Sequence, residues 1–171
     1  MRGYVQVYTG NGKGKTTAAF GLALRAAGAG LKVYIGQFLK NGGYSELNSI
    51  NKFKDLIKIE QFGGKRHIGQ QIGEEDKELA KKGFEKIRGI IFSGEYDVVV
   101  LDEINVALYL KLLPKNDLIN VIKNKPPHVE LVLTGRYASP QIVEIADLVT
   151  EMRKIKHYFS KGVTARKGIE K

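Results

Sequence analysis

Short apolar segments alternate with helical segments along the chain, and this order predicts the fold class. Residues 98–101 are continuously apolar and rich in β-branched side chains, which is typical of a central strand buried on both faces. The other predicted strands are residues 4–8, 32–38, 57–62, 129–134 and 148–152. Strands and helices in alternation favour an α/β fold, with a mostly parallel central sheet and helices on its faces.

The predicted helices fill the intervals between these strands. Residues 15–29 are rich in alanine and end near Gly28 and Gly30, and residues 74–92 begin with acidic residues, as the helix dipole favours. Shorter helices are predicted at residues 106–111, 115–123 and 140–146. There is no internal repeat and no linker composition. We therefore expect one domain over residues 1–171, which includes the basic C-terminal segment of residues 153–171.

A glycine-rich loop lies between the first predicted strand and the first predicted helix. It reads Thr9-Gly-Asn-Gly-Lys-Gly-Lys-Thr-Thr17, which is close to the phosphate-binding P-loop, although Thr9 stands where the strict motif begins with glycine. In such a loop the backbone N–H groups and the helix N-terminus surround phosphate oxygens. We expect Lys15 to reach the terminal phosphates and the Thr16 hydroxyl to bind Mg²⁺. The predicted nucleotide-binding residues are Gly10, Asn11, Gly12, Lys13, Gly14, Lys15, Thr16 and Thr17.

Two carboxylates follow the central apolar strand. Asp102 and Glu103 end the segment that begins at Asp97, and ligands of open α/β sheets bind at the carboxyl ends of strands. We expect both residues to organise the metal near the phosphate loop, either directly or through water. Arg136, after the strand of residues 129–134, has two open interpretations: a phosphate contact or a turn residue in solvent.

The composition limits the kinds of ligand, metal site and catalysis that the chain can support. Lys and Arg outnumber Asp and Glu to give a formal net charge of +10, which favours an anionic ligand. Cysteine is absent, which excludes a disulfide framework, a thiolate zinc site and cysteine catalysis. His67, His128 and His157 lack metal-ligand spacing and are interpreted as surface or structural residues. No apolar run is long enough for a membrane span, and no signal peptide precedes residue 4, so we expect a cytoplasmic protein.

The chain resembles the P-loop type of ATP:corrinoid adenosyltransferase over nearly its whole length. The resemblance is carried by residues 9–21, 37–40, 101–108, 133–136, 146–152, 156–157 and 162–170. It implies a three-layer, RecA-like P-loop NTPase fold. It also implies a reaction in which the Co(I) of a reduced corrinoid attacks the 5′ carbon of ATP and triphosphate leaves.

The resemblance implies roles for individual residues. Lys15 and Glu103 are the expected catalytic residues: Lys15 stabilises the charge that grows on the triphosphate, and Glu103 organises the metal and is not a general base. Thr16, Asp102 and Glu103 are the expected residues for Mg²⁺ or Mn²⁺, and Lys13 is a further phosphate contact. Adenine and ribose contacts are expected from the loop after Phe38 and from the C-terminal tail. A flavin-dependent reductase and a homodimer are the implied partners.

One segment departs from the family pattern. Where many members of the family have an aromatic Phe-Thr-Trp stretch, this chain has Lys65-Arg66-His67. The aromatic stretch is thought to provide an apolar floor for the corrinoid, and Phe62 is our candidate for part of that role.

Two other classes of function stay open from the residues themselves. A P-loop kinase or ATPase would use Glu103 to activate a hydroxyl or water and would release ADP. A nucleic-acid-binding ATP module would explain the net charge of +10 and would bind in a strongly salt-dependent way. The chain shows no nucleic-acid recognition motif and no basic stripe interleaved with aromatic residues, so nucleic acid is the least favoured partner.

Overall fold

A computed structural model describes residues 2–64 and 72–170, and its centre is one parallel sheet. The strands are β1 Val5–Thr9, β2 Val33–Phe38, β3 Ile57–Phe62, β4 Val98–Asp102, β5 Glu130–Thr134 and β6 Leu148–Glu151. They lie in the order β3-β2-β4-β5-β1-β6, and every neighbouring pair is parallel. The prediction of an α/β fold with a parallel sheet is confirmed.

Six α-helices of the described residues connect these strands. They are α1 Lys15–Gly28, α2 Ser45–Ile50, α3 Glu74–Ser93, α4 Ile104–Tyr109, α5 Lys115–Asn124 and α6 Pro140–Ile145, with 3-10 turns at Asn51–Phe53 and Tyr158–Lys161. Every helix predicted from the sequence is present, and its ends differ by two residues or fewer. Helix α2 was not predicted, because six residues are too few to show a helical hydrophobic period. No described helix is both long enough and apolar enough to cross a membrane.

The sheet has an apolar core on each face, which makes the fold three-layered. Alternate residues of a strand face opposite sides, so Val98 and Val100 pack with Ala19 and Ala23 of α1. On the other face Leu101 belongs to a buried cluster that includes side chains of helices α3, α4, α5 and α6. The continuous apolar sequence of β4 follows from this burial on both faces.

The parallel order brings the functional loops to one edge of the sheet. The P-loop follows β1, Lys40 follows β2, Glu103 follows β4 and Arg136 follows β5. Strand β5 lies between β1 and β4, so Thr134 at its end stands between the P-loop and Asp102. A ligand site is therefore expected at the carboxyl edge of the sheet.

Candidate nucleotide-binding site

The P-loop needs glycine for two reasons: its backbone turns through positive φ angles, and a neighbouring segment of the chain approaches it closely. Gly10 and Gly14 have φ of 94° and 119°, a region that side chains with a Cβ rarely adopt. A Cβ on Gly10 would also lie 2.5 Å from the carbonyl oxygen of Met152. The same oxygen accepts a hydrogen bond of 2.6 Å from the Gly12 N–H. The loop is thus held against the segment that follows β6.

Lys15 is the charged group at the base of this loop. Its side chain is largely buried, with 7% of the residue exposed. The ammonium donates to the carbonyl oxygens of Gly10 at 2.8 Å and Gly12 at 2.7 Å. Burial lowers the pKa of Lys15, and the nearby Glu103 carboxylate partly opposes that effect. Lys15 is therefore a largely desolvated cation beneath the loop, where a lysine that binds phosphate is expected.

Asp102 joins three strands at the carboxyl edge. Its Oδ1 accepts hydrogen bonds from the hydroxyls of Thr16 at 2.9 Å and Thr134 at 2.7 Å, and the side chain is fully buried. Its Oδ2 accepts from Gln37 Nε2 at 3.0 Å and from the Lys40 ammonium at 2.8 Å. Burial alone would raise the pKa of Asp102, but Lys40 and these donors lower it overall. The carboxylate stays ionised because each oxygen is fully satisfied.

Lys40, Gln37 and Thr134 complete the site without a role that the sequence predicts for them. Lys40 is only 11% exposed and pairs with Asp102, which lies 62 residues away in the sequence. Gln37 Oε1 also accepts from Gln61 Nε2 at 2.9 Å, which extends the network to β3. The only sign of a role in the sequence is that residues 37–40 carry the family resemblance. The polar Gln37 within an apolar strand does not show which residue it binds.

Glu103 has an unusual backbone as well as a site-facing side chain. Its φ is 62°, and this left-handed conformation costs a non-glycine residue energy. The backbone N–H of Glu103 donates to Thr134 Oγ1 at 3.0 Å, which holds the turn into α4. Burial, followed by the neighbouring Asp102 charge, raises the pKa of Glu103. Strain and a raised pKa at one acidic residue are typical of functional sites.

A cavity of about 700 Å³ lies over the P-loop, a size suited to a nucleotide-sized ligand. Residues 12–17 form one wall of it, and Lys40, Glu103 and Arg136 face it from neighbouring strands. Arg136 also lines a second cavity with Asn11, Tyr137 and Phe159. Of the two interpretations of Arg136, this placement favours the phosphate contact. His157, interpreted from sequence as a surface or structural residue, lines both cavities.

The C-terminal tail reaches the P-loop through a charged cluster. The Lys13 ammonium donates to Glu170 Oε1 at 2.9 Å, to the Ile169 carbonyl at 3.0 Å and to Tyr158 Oη at 3.1 Å. Glu170 also binds the Tyr158 hydroxyl and the guanidinium of Arg166. Arg166, Tyr158 and Lys13 hold the pKa of Glu170 well below its usual range. The tail is therefore held against the P-loop, in part by Glu170, an acid within a basic segment. Its contact with adenine or ribose stays a prediction.

Not every predicted ligand contact lies at this cavity. The Phe62 ring packs 6.0 Å from the Phe38 ring and rests on Gly83 of α3, where a Cβ would lie 2.4 Å from its Cγ. Phe62 is thus partly buried against the core and is not among the residues that line the cavity over the P-loop. Its contact with the corrinoid stays a prediction. Thr17 lines the cavity with an exposed side chain. Lys65-Arg66-His67, where the family pattern has aromatics, lies outside the described residues.

The oxygen ligands around Thr16 fit the magnesium ion that the P-loop implies. Thr16 and Asp102 present a hydroxyl and a carboxylate 2.9 Å apart, and Glu103 adds a second carboxylate at the rim. No group of three or more His, Asp or Glu side chains within residues 2–64 and 72–170 could enclose a metal by itself. Mg²⁺ commonly binds through one or two protein oxygens together with phosphates and water, so this small donor set suits it.

The parallel sheet, the P-loop and the acidic strand end define a P-loop nucleotide-binding protein. A sequence model of the family described as ATP:corrinoid adenosyltransferase BtuR/CobO/CobP matches residues 1–170. The chain belongs to this family. It is thus a transferase, with ATP and a corrinoid as its substrates.

Individual relatives agree with this membership along nearly the whole chain. The chain is 37% identical to a corrinoid adenosyltransferase of Sinorhizobium sp, over 99% of its own length and 80% of the relative. It is 35% identical to those of Pseudomonas aeruginosa and Escherichia coli, covering 84% and 86% of these relatives. The fold resembles that of a KaiC-like protein from Pyrococcus horikoshii, with a TM-score of 0.55 at 21% identity, over 88% of this chain and 73% of that one.

Proposed function

We propose that this site transfers the 5′-deoxyadenosyl group of ATP to the Co(I) of a corrinoid and holds the triphosphate as it leaves. The observation that carries the proposal is the buried Lys15 under a P-loop, next to the hydrogen-bonded Thr16 and Asp102. In the reaction the cobalt electron pair forms the bond to C5′, and the electrons of the breaking C5′–O bond pass to the triphosphate. No proton has to move, so the site needs no general base.

The protein's task in this reaction is to stabilise the leaving group. Negative charge grows on the triphosphate as the C5′–O bond breaks, and preorganised cations and N–H groups lower the barrier most when they are desolvated. Lys15, the P-loop amides, Lys13 and Arg136 are our candidates for these contacts, and Gly10, Asn11, Gly12 and Gly14 shape the loop. When bound, Mg²⁺ neutralises phosphate charge, and Thr16, Asp102 and Glu103 would hold it directly or through water.

Glu103 has a different role in this proposal from the one it would have in a kinase or ATPase. Its raised pKa and cavity-facing carboxylate would also suit the activation of a hydroxyl or water. The two functions differ in their products. A hydrolase or kinase breaks a P–O bond and leaves ADP, whereas the transferase breaks the C5′–O bond and leaves intact triphosphate.

A product assay under anaerobic, reducing conditions tests the proposal. The protein is incubated with ATP, Mg²⁺ and chemically reduced cobalamin or cobinamide, while the corrinoid spectrum is followed and the phosphates are separated. We expect adenosylcorrinoid and triphosphate in equal amounts, and loss of both with Lys15→Ala. ATP binding without a new cobalt–carbon bond across several corrinoids would contradict the proposal.

Three finer proposals concern the setting of the reaction. Co(I) requires an electron donor, so we propose a flavin-dependent reductase as a partner.

Leu148 and Val149, on the edge strand β6, are 44% and 41% exposed, and this apolar edge supports a homodimer. Sedimentation of the wild type and of Val149→Lys tests that arrangement, since the charged variant should sediment as a monomer. Because the reaction consumes ATP, we also propose a cytoplasmic location.

A further inference from the structure

The Lys40 ammonium lies between the two side chains to which we assign the metal. Its Nζ is 2.8 Å from Asp102 Oδ2 and 3.5 Å from Thr16 Oγ1. Asp102 is fully buried and Lys40 is only 11% exposed, so little solvent screens this pair. The two side chains form a close, largely desolvated ion pair, and the ammonium lies within reach of the oxygens that would serve Mg²⁺.

The surrounding residues hold Lys40 in this position. Leu39, immediately before it, has φ of 60°, a left-handed turn that directs the chain away from β2. The Tyr44 ring lies under the ammonium, 4.9 Å from ring centroid to Nζ, which is within cation–π range. Gln37 donates to the same Asp102 oxygen at 3.0 Å. The position of Lys40 is thus defined by backbone strain, an aromatic ring and a shared acceptor.

A divalent cation that enters this site by itself meets unfavourable charges. Lys40 already holds Asp102, and Lys15 and Arg136 add positive charge around the same cavity. Of the carboxylates that line this cavity, Glu170 is bound to Lys13, which leaves Glu46 and Glu103 to attract a free cation. Like charges a few ångströms apart repel strongly where water is excluded. A metal that arrives bound to triphosphate brings compensating negative charge, and Lys40, which lines the cavity, gains phosphate oxygens as new acceptors.

We propose that Lys40 makes the metal site depend on the nucleotide, so that the protein accepts the metal–ATP complex as a unit and rejects the free metal. Lys40 acts here as a positioning residue that competes with the metal for Asp102. The inference rests on the proposed function in one respect, the assignment of the metal to Thr16 and Asp102.

The test measures binding of Mn²⁺, without any turnover, from the electron paramagnetic resonance signal of the free ion. In the absence of nucleotide, we expect Lys40→Gln to bind Mn²⁺ at least tenfold more tightly than the wild type. Glutamine can still donate to Asp102 but carries no charge. Lys40→Arg keeps the charge and should bind Mn²⁺ as weakly as the wild type. With ATP present, the difference between Lys40→Gln and the wild type should shrink to less than about threefold.

Further variants separate the possible failures. Adding Thr16→Ala to Lys40→Gln should abolish the gained Mn²⁺ binding, which locates the ion at the proposed site. If Lys40→Gln unfolds, Lys40→Met replaces it as the neutral variant. Equal Mn²⁺ affinity of the neutral variant and the wild type would overturn the inference. If Thr16→Ala alone leaves binding of Mn²⁺–ATP unchanged, the metal assignment in the proposed function fails instead.

Discussion

Thr16 Oγ1 donates to Asp102 Oδ1 at 2.9 Å, and this bond joins the P-loop to the strand end of β4 across the intervening β5. The bond explains why two motifs 86 residues apart in the sequence act as one site. Because the Thr16 proton is directed at the carboxylate, the lone pairs of the hydroxyl stay available as acceptors in a residue that lines the cavity. A hydroxyl held in this way is a preorganised metal ligand.

Replacing Thr16 by valine should weaken the metal dependence of ATP binding. Valine keeps the branched shape but has no oxygen for Mg²⁺, so we expect ATP affinity in Mg²⁺ to fall about tenfold or more, roughly 1.4 kcal/mol. In the absence of Mg²⁺ the variant and the wild type should bind ATP alike. Calorimetric titration with and without the metal measures both quantities.

Thr17→Val is the matched control for that variant. Thr17, in the first turn of α1, has an exposed side chain at the cavity, and we expect its backbone N–H to matter more than its hydroxyl. An equal loss of Mg²⁺-dependent affinity in both variants would show that the metal assignment to Thr16 is wrong.

Asp102→Asn should destabilise the fold and should change its pH dependence. Removal of one partner from a buried ion pair typically costs about 3–5 kcal/mol, since Lys40 would remain buried without its counterion. The pKa of Asp102 is lowered in the fold. Its stabilising contribution is therefore present above the unfolded value near 3.8 and is lost as the pH falls through the lower folded value.

The stability contributed by Lys40 has the opposite pH dependence, because the pKa of Lys40 is raised in the fold. Its contribution is complete below the unfolded value of 10.5 and is lost as the pH rises through the folded value. Urea unfolding of the wild type and Asp102→Asn should thus show a constant difference near neutral pH that shrinks at both extremes. A difference that does not change between pH 7 and pH 3 would contradict the description of this pair.

Glu103→Gln should stabilise the fold while it lowers activity. The pKa of Glu103 is raised, which means that the folded protein disfavours the charged carboxylate. The gain in the free energy of unfolding should be absent below the unfolded value of 4.5 and should grow as the pH rises through the folded pKa. The transfer rate should fall about tenfold or more, because one metal-organising charge is lost.

Urea unfolding from pH 4 to pH 8 and initial transfer rates measure the two effects of this substitution. Glu78→Gln, on the exposed surface of α3, removes a carboxylate without touching the site and serves as the control. A Glu103→Gln variant with lower stability than the wild type at pH 8 would show that the carboxylate is favourably paired in the fold.

Glu170→Gln should loosen the tail from the P-loop. The neutral amide loses the charge-assisted bonds to Lys13 and Arg166, and these bonds lie at the surface, where salt screens them. We expect trypsin to cleave the segment around residues 161–167 several-fold faster in the variant. High salt should bring the wild type closer to the variant. Glu85→Gln, which breaks an exposed helical pair with Arg88, should leave the cleavage rate unchanged. Equal cleavage rates for Glu170→Gln and the wild type would show that Glu170 does not hold the tail against the P-loop.

The sheet and the P-loop could be predicted from the sequence because their signals are local. A β-branched segment at residues 98–101 predicts a buried strand. The glycine pattern around Lys15 predicts a loop between a strand and a helix. Helix α2 shows no such signal within six residues. The sequence does not show whether the apolar Phe62 ring at a strand end faces a ligand or a helix. In the structure the ring packs on Gly83, and its role toward the corrinoid stays a prediction.

The contacts that complete the site join residues that are distant in the sequence. Lys40 and Asp102 are 62 positions apart, and Lys13 and Glu170 are 157 apart. Neither pair has a spacing that a period or motif would reveal, since only the strand order and the path of the tail bring the partners together. The sequence of residues 153–171 shows a basic segment, but it does not reveal that Tyr158, Ile169 and the single acid Glu170 bind Lys13 of the P-loop.

The central claim is that the site breaks the C5′–O bond of ATP, and the fate of that oxygen tests it most directly. ATP carrying oxygen-18 between C5′ and the α-phosphorus is reacted with the protein and a reduced corrinoid, and the products are analysed by mass spectrometry. We predict that the label appears in triphosphate, with one adenosylcorrinoid formed for each triphosphate. Label retained in ADP, with inorganic phosphate as the second product, would mean that a P–O bond breaks and would contradict the assignment.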